Sequence, residues 1–127
     1  MPGSGQRKKA EFAPGLLLRL DLAPGVRFGP GKARLLELIE SEGSISAAAR
    51  AMKMSYRRAW LLIDEMDAAF CEPVVARSTG GRHGGGARLT PLGASLVEEY
   101  RRIESAALRD ADGGIGRLRG LLRAARR

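Results

Sequence analysis

GSISAAARAMKMSYRRAWLLIDEMDAAF, residues 43–70, is the stretch around which the chain is organised. It reads as two helices joined by a turn. The first starts at Ser46, whose hydroxyl can cap the free amides of the alanine-rich run from Ala47 to Met52. That run is small and apolar, so another helix can pack close to it. Lys53-Met54 interrupts it, and Ser55 offers a second N-cap. The helix that follows puts Ala59, Ile63, Met66 and Phe70 on one face, with Leu62 beside them. Tyr56 and Trp60 flank that face, while Arg57, Arg58, Leu61 and Glu65 point away from it. A short helix, a tight turn and a second helix with cations at its start make a helix-turn-helix, which offers the free side of its second helix to a DNA major groove.

Apolar spacing of this kind occurs in any helical hairpin, so the charge pattern carries the distinction. From Arg50 to Arg58 there are four cations, Arg50, Lys53, Arg57 and Arg58, and no acid. Asp64, Glu65 and Asp67 come only later, where such a helix leaves the groove.

Composition bounds the rest. At 127 residues the chain has the length of one domain, and 22 Lys+Arg against 14 Asp+Glu give a net charge of +8. A polyanion is therefore the first partner to consider, either nucleic acid or an anionic membrane surface. No apolar run approaches the ~20 residues a membrane span needs, and the N-terminus lacks an apolar signal core, so the chain is expected to be cytoplasmic and nucleoid-associated. One cysteine, Cys71, excludes an internal disulfide and a cysteine-cluster zinc site; it is read as core filler at a helix end. One histidine gives no support to a metal site or to histidine-based catalysis.

Residues 1–14 are small, polar and basic and read as a flexible tail. Leu16, Leu18, Leu20 and Leu22 alternate with Leu17, Arg19 and Asp21 as a half-buried strand that Pro24-Gly25 ends, with Val26-Arg27-Phe28 extending briefly after it. A helix is expected from about Lys32 to Glu42, closed by Gly43. After Phe70, the segments 73–77 and 87–90 read as paired strands. The loop between them, Ser78-Thr79-Gly80-Gly81-Arg82-His83-Gly84-Gly85-Gly86, holds no acid and is bordered by Arg77 and Arg88. Such a hairpin after a recognition helix is a wing, with glycines that let backbone approach a phosphate and arginines that reach it. The glycines do not form a nucleotide loop, since no Gly-Lys-Ser/Thr follows them and no Gly-x-Gly-x-x-Gly opens a helix.

Thr90-Pro91 starts a long helix, expected over 91–108. Leu92, Leu96, Tyr100, Ile103 and Ala107 form its apolar stripe, more than one small domain covers, which points to a homodimer interface. Asp112-Gly113-Gly114 is expected to end the ordered part. The tail GIGRLRGLLRAARR carries five arginines and no acid, and reads as flexible and DNA-attracting, with an anionic-membrane anchor as the alternative. The domain plan is thus a tail over 1–14, a winged helix-turn-helix over 15–110 and a basic tail over 111–127.

Over about residues 15–108 the chain resembles the DNA-binding domain of the ModE family, molybdate-responsive bacterial transcriptional regulators, which is in turn similar to the LysR-type winged domain. The resemblance rests on residues 16–22, on Gly43-Ser44-Ile45-Ser46, on Ser55-Tyr56-Arg57 with Ala59-Trp60, on Asp64-Glu65-Met66, and on Arg77-Ser78-Thr79-Gly80-Gly81 running through Gly84-Gly85-Gly86 to Leu89-Thr90. It implies a dimer with recognition helices starting at Ser55, and target promoters of molybdate uptake, molybdoenzyme or nitrogenase-related genes. Full-length members carry a molybdate-binding region with a Ser-Ala-Arg-Asn motif after the long helix. That motif is absent from this sequence, so the resemblance implies a stand-alone member or a piece cut before the sensor, and molybdate is not expected to bind this chain.

The sequence therefore predicts a mainly α fold with a small β-sheet: a winged helix-turn-helix with a long C-terminal dimerisation helix. It predicts a regulator of transcription that is not an enzyme, needs no cofactor or metal, and binds double-stranded DNA at an inverted-repeat operator, with no membrane partner. Ser55, Tyr56, Arg57 and Arg58 are expected to read bases. Lys32, Lys53, Arg77, Ser78, Thr79, Arg82, His83 and Arg88 are expected to hold the backbone or form the wing. Trp60 is expected to be core. The alternative is a non-specific architectural DNA binder.

Overall fold

The fold is taken from a computed structural model that describes residues 15–78 and 86–124. The tail expected over 1–14 and the residues Thr79, Arg82 and His83 expected in the wing lie outside the described residues, as do 125–127. The described chain is mostly helical, with four helices and two small antiparallel hairpins. Contacts group Leu17–Ile103 into one compact unit and assign Glu104 onward to another.

The first hairpin pairs β1 (Leu20–Ala23) with β2 (Val26–Phe28) around Pro24-Gly25, where Gly25 takes a left-handed φ of 78°. Leu18 and Leu20 are half-buried as the alternation predicts, but Leu22 is 52% exposed. The register shifts between Asp21 and Ala23. The residue left over in that irregularity is Leu22, and the shift turns it off the buried face.

Helix α1 (Pro30–Glu42) begins at its proline, ahead of the expected Lys32, because a first-turn N–H is not needed for the helix ladder. Gly43 ends it at φ 77°. Helix α2 (Ile45–Ala51) is capped by Ser44, not by Ser46: the Ser44 hydroxyl accepts the Ala47 N–H at 3.0 Å while Ile45 is buried at the first helical position. Its end is closed by two backbone bonds, Met54 N–H to the Ala49 carbonyl and Lys53 N–H to the Arg50 carbonyl, both 3.0 Å. Lys53 occupies the left-handed position of this motif at φ 58°, where glycine is usual. Helix α3 (Tyr56–Ala69) follows, with the Ser55 hydroxyl accepting the Arg58 N–H at 3.0 Å.

The core is built from Leu35, Leu36, Leu38 and Ile39 of α1, Ala48 and Ala49 of α2, and Ala59, Ile63 and Met66 of α3. The buried alanines, Ala48 and Ala49 of α2 and Ala59 of α3, are the small residues among larger ones such as Ile45, Ile63 and Met66. Cys71 is exposed and is not core filler. It lies past the end of α3, where the chain has already left the packed face.

The second hairpin pairs β3 (Val75–Arg77) with β4 (Ala87–Leu89), and it is fixed from three sides. The Ala87 N–H donates to the Gly43 carbonyl at 2.9 Å, and the Leu89 N–H donates to Glu40 Oε1 at 2.8 Å. The Val74 N–H donates to Asp67 Oδ1 at 2.8 Å. Donors of an edge strand that would otherwise face solvent thus find partners on α1.

Helix α4 (Pro91–Gly120) has 30 residues and does not stop at Asp112-Gly113-Gly114. No proline interrupts it, and the Arg117 guanidinium lies 3.5 Å and 3.7 Å from the positions that side chains on Gly113 and Gly114 would take. The arginine side chain thus covers the notch that the glycines leave. At the other end, Thr90 caps α4 by accepting the Gly93 N–H at 3.0 Å, and its own hydroxyl donates to the Pro73 carbonyl at 2.7 Å.

Candidate nucleic-acid interface

The geometry of α3 decides what it can touch. Ala59, Ile63 and Met66 are buried, and the helix advances about 100° per residue. Arg57 therefore projects almost opposite the buried stripe, together with Leu61, which is 50% exposed. Arg58 is turned about 100° further, onto the flank of Leu62 and Glu65. The two arginines thus serve different sides of one exposed surface. Between Gly43 and Ile63 the chain carries Arg50, Lys53, Arg57 and Arg58, all exposed, and no acid.

The other flank of α3 is aromatic. Tyr56, 54% exposed, meets Trp60 edge to face with ring centroids 6.2 Å apart. The Arg77 guanidinium of β3 lies 4.7 Å from the Trp60 ring centre. Trp60 is half-buried and packs against the core, so it is both a prop for α3 and a platform for the hairpin.

The hairpin register separates two arginines that look equivalent in sequence. Arg77 pairs with Ala87, and Ala76 with Arg88. Opposed residues share a face, so Arg77 and Arg88 project from opposite faces of the ribbon. Ala87 is buried and Arg77 lies on its side, against Trp60; Arg88 is exposed. Ser78 uses its hydroxyl to accept the Gly86 N–H at 3.1 Å, closing the ribbon where the loop begins.

Lys32 does not stand free for a phosphate. Its ammonium donates to the Arg27 carbonyl at 2.8 Å and pairs with Glu65 at 3.3 Å, and its side chain is 19% exposed. Tyr100 is likewise removed from the expected dimer stripe. It is buried at 1% exposure, meets Phe28 edge to face at 5.4 Å, and donates its hydroxyl proton to the Leu18 carbonyl at 2.6 Å. Leu92 and Leu96 also pack against the core of their own chain. The large apolar side chains exposed on α4 are Ile103 and Leu108, each 37%, and Leu118 at 66%; Ala107 is half-buried.

The chain's sequence can now be set beside known proteins. The chain is 45% identical over 87 residues to the molybdenum transport protein ModE of Azotobacter vinelandii, covering 68% of this chain and 32% of that protein. It is 44% identical over 81 residues to the molybdenum-pterin-binding protein MopB of Rhodobacter capsulatus, covering 64% and 30%. It is 40% identical over 85 residues to the DNA-binding transcriptional dual regulator ModE of Escherichia coli K12, covering 67% and 32%. The chain is ModE-like. No protein-family model matches it.

The ModE-like chain spans about a third of the length of these relatives. Among its described residues no group of three His, Cys, Asp or Glu could hold a metal, and no helix is long and apolar enough to cross a membrane. Two residues that position the second hairpin give no sequence signal: Glu40 and Asp67, whose carboxylates accept its backbone N–H groups. Both sit at helix positions where an acid reads as solvated surface, and only the folded chain brings Leu89 to Glu40 across 49 residues.

Proposed function

We propose that this chain is the DNA-binding part of a transcriptional regulator, folded as a winged helix-turn-helix, with α3 entering the major groove. The observation that carries this reading is the acid-free, exposed cation set on Arg50, Lys53, Arg57 and Arg58, grouped around the start of a helix whose opposite face is buried. The relatives named as transcriptional regulators support it. Arg57 is the leading base reader, since a guanidinium fork matches guanine O6 and N7. Tyr56 and the Ser55 hydroxyl, which keeps its proton free while capping α3, serve beside it. Arg58 works from the helix flank.

Lys53 and Arg88 take phosphates, and Arg77 takes them from its place on Trp60. Ser78 shapes the root of the wing, to which Thr79, Arg82 and His83 add further donors. A homodimer through the outward side of α4 presents two such surfaces to an inverted repeat, and molybdenum-related promoters are the proposed targets.

The test is binding of the wild type and of Arg57→Ala to a duplex that the wild type selects from a random pool, and to its scrambled version, across a salt series. Arg57→Ala should narrow the gap between the two duplexes by the ~1–3 kcal/mol of a bidentate base contact for each protomer bound. Equal wild-type affinity for both duplexes at physiological salt would overturn sequence-specific reading and favour an architectural role.

A further inference from the structure

We propose that the β1–β2 hairpin is a second DNA arm, in which Arg27, with Arg58 of α3 and Arg19, grips the phosphate backbone on the side of the recognition helix away from the wing. This rests on the DNA-binding reading above and adds a surface to it.

Arg58 turns to the flank of α3 that faces the first hairpin. There it lines a surface depression of about 560 Å³ together with Arg19, Arg27, Lys32, Met54 and Glu65. Four of these six side chains are cationic. Lys32 and Glu65 neutralise each other at 3.3 Å. Arg19 forks onto Asp21, with its Nε 2.8 Å from Oδ1 and its Nη2 3.0 Å from Oδ2. Arg27 stands directly across the hairpin from Asp21, so these two share a face of the ribbon with the Arg19 fork beside them.

Four cations and two acids leave two positive charges here: among the described residues no salt bridge reaches Arg27 or Arg58, and Asp21, which feels the charge of Arg27, is held by Arg19. Gly29 and Gly31 also line the depression and carry no side chain that would bar a phosphodiester strand from the arginines. The second hairpin meets the opposite flank of α3 through Arg77 on Trp60. The recognition helix therefore has an arginine of the second ribbon against one flank and shares a depression with arginines of the first ribbon on the other. A duplex seated on α3 runs its backbone past both.

The experiment measures the salt dependence of binding of the full chain to the selected duplex, for the wild type, Arg27→Ala, Asp21→Asn and Arg57→Ala. Each lost phosphate contact lowers the slope of log affinity against log salt by ~0.9, and the dimer loses two, so a four-fold rise in salt should cost Arg27→Ala about 12-fold less affinity than it costs the wild type. Asp21→Asn frees Arg19 and should steepen the slope and tighten binding. Trimming the duplex at the end over the hairpin should abolish both effects while leaving that of Arg57→Ala in place. A wild-type slope in Arg27→Ala, with Arg57→Ala still impaired, overturns the arm and leaves the DNA-binding reading standing. Failure of the wild type to bind any duplex overturns that reading itself. Arg27 and Asp21 are exposed, so matching melting curves for all variants exclude unfolding as the cause.

Discussion

The Arg77 guanidinium stacks 4.7 Å from the centre of the Trp60 ring, joining the second hairpin to α3 through one cation–π contact. Trp60 is the chain's single tryptophan, so its fluorescence reports on the surroundings of this one ring, Arg77 among them. Arg77→Ala should shift the emission without DNA present and lower stability by ~0.5–1 kcal/mol, the worth of an exposed contact of this kind. Arg77→Lys, which keeps a cation within reach, should lie between. Identical emission spectra for all three proteins would show that the contact does not form in solution.

Gly93 allows α4 to begin against the second hairpin. A methyl group there would lie 2.1 Å from the Val74 carbonyl oxygen, a backbone atom that cannot move aside. Gly93→Ala should therefore destabilise by about 3 kcal/mol or more. Gly116, with open space around it, is the control: Gly116→Ala should gain up to ~1 kcal/mol from helix propensity. Urea denaturation midpoints measure both, and the two changes should have opposite signs.

The Arg101 guanidinium holds Glu37 in a fork, Nε to Oε2 at 3.0 Å and Nη2 to Oε1 at 2.9 Å. Hydrogen bonding from Arg101 lowers the Glu37 pKa below the ordinary glutamate value against the opposing effect of burial, and the charges of Arg101 and Arg34 lower it further. A depressed folded-state pKa adds stability above the unfolded value of about 4.3, and that stability is lost as pH falls through the folded value. The pair is about one-third exposed, which limits the expected contribution to roughly 1 kcal/mol. Glu37→Gln should be less stable than wild type at neutral pH and should close that gap on acidification below pH ~4. A gap that stays constant with pH would remove the ion pair from the account.

Tyr100 and Ile103 separate core from surface on α4. Tyr100→Phe leaves the Leu18 carbonyl without its 2.6 Å donor and should cost about 1 kcal/mol without altering assembly. Ile103→Glu with Leu108→Glu changes side chains that are each 37% exposed, so the chain should stay folded and sediment as a monomer if these residues form the dimer seam. Sedimentation as a dimer would place the seam elsewhere.

The sequence by itself determined the local elements. The Ala59, Ile63 and Met66 spacing sets the buried face of α3, Ser55 sets its start, and Gly43 sets the end of α1, because each depends on neighbours within about one helical turn. It also determined the acid-free run of cations before Asp64. Tertiary structure alone decided how those elements were spent. Periodicity puts Tyr100 on an apolar stripe, but whether that stripe meets another chain or its own depends on Leu18, 82 residues away. Strand register, set by pairing across the loop, sent Arg77 to Trp60 and Arg88 to solvent. The fold also set Lys32 of α1 against Glu65 of α3 and put Arg27 and Arg58 on the lining of one depression. A side chain's face is fixed by local geometry, whereas its partner is fixed by which distant segment fills the space in front of it.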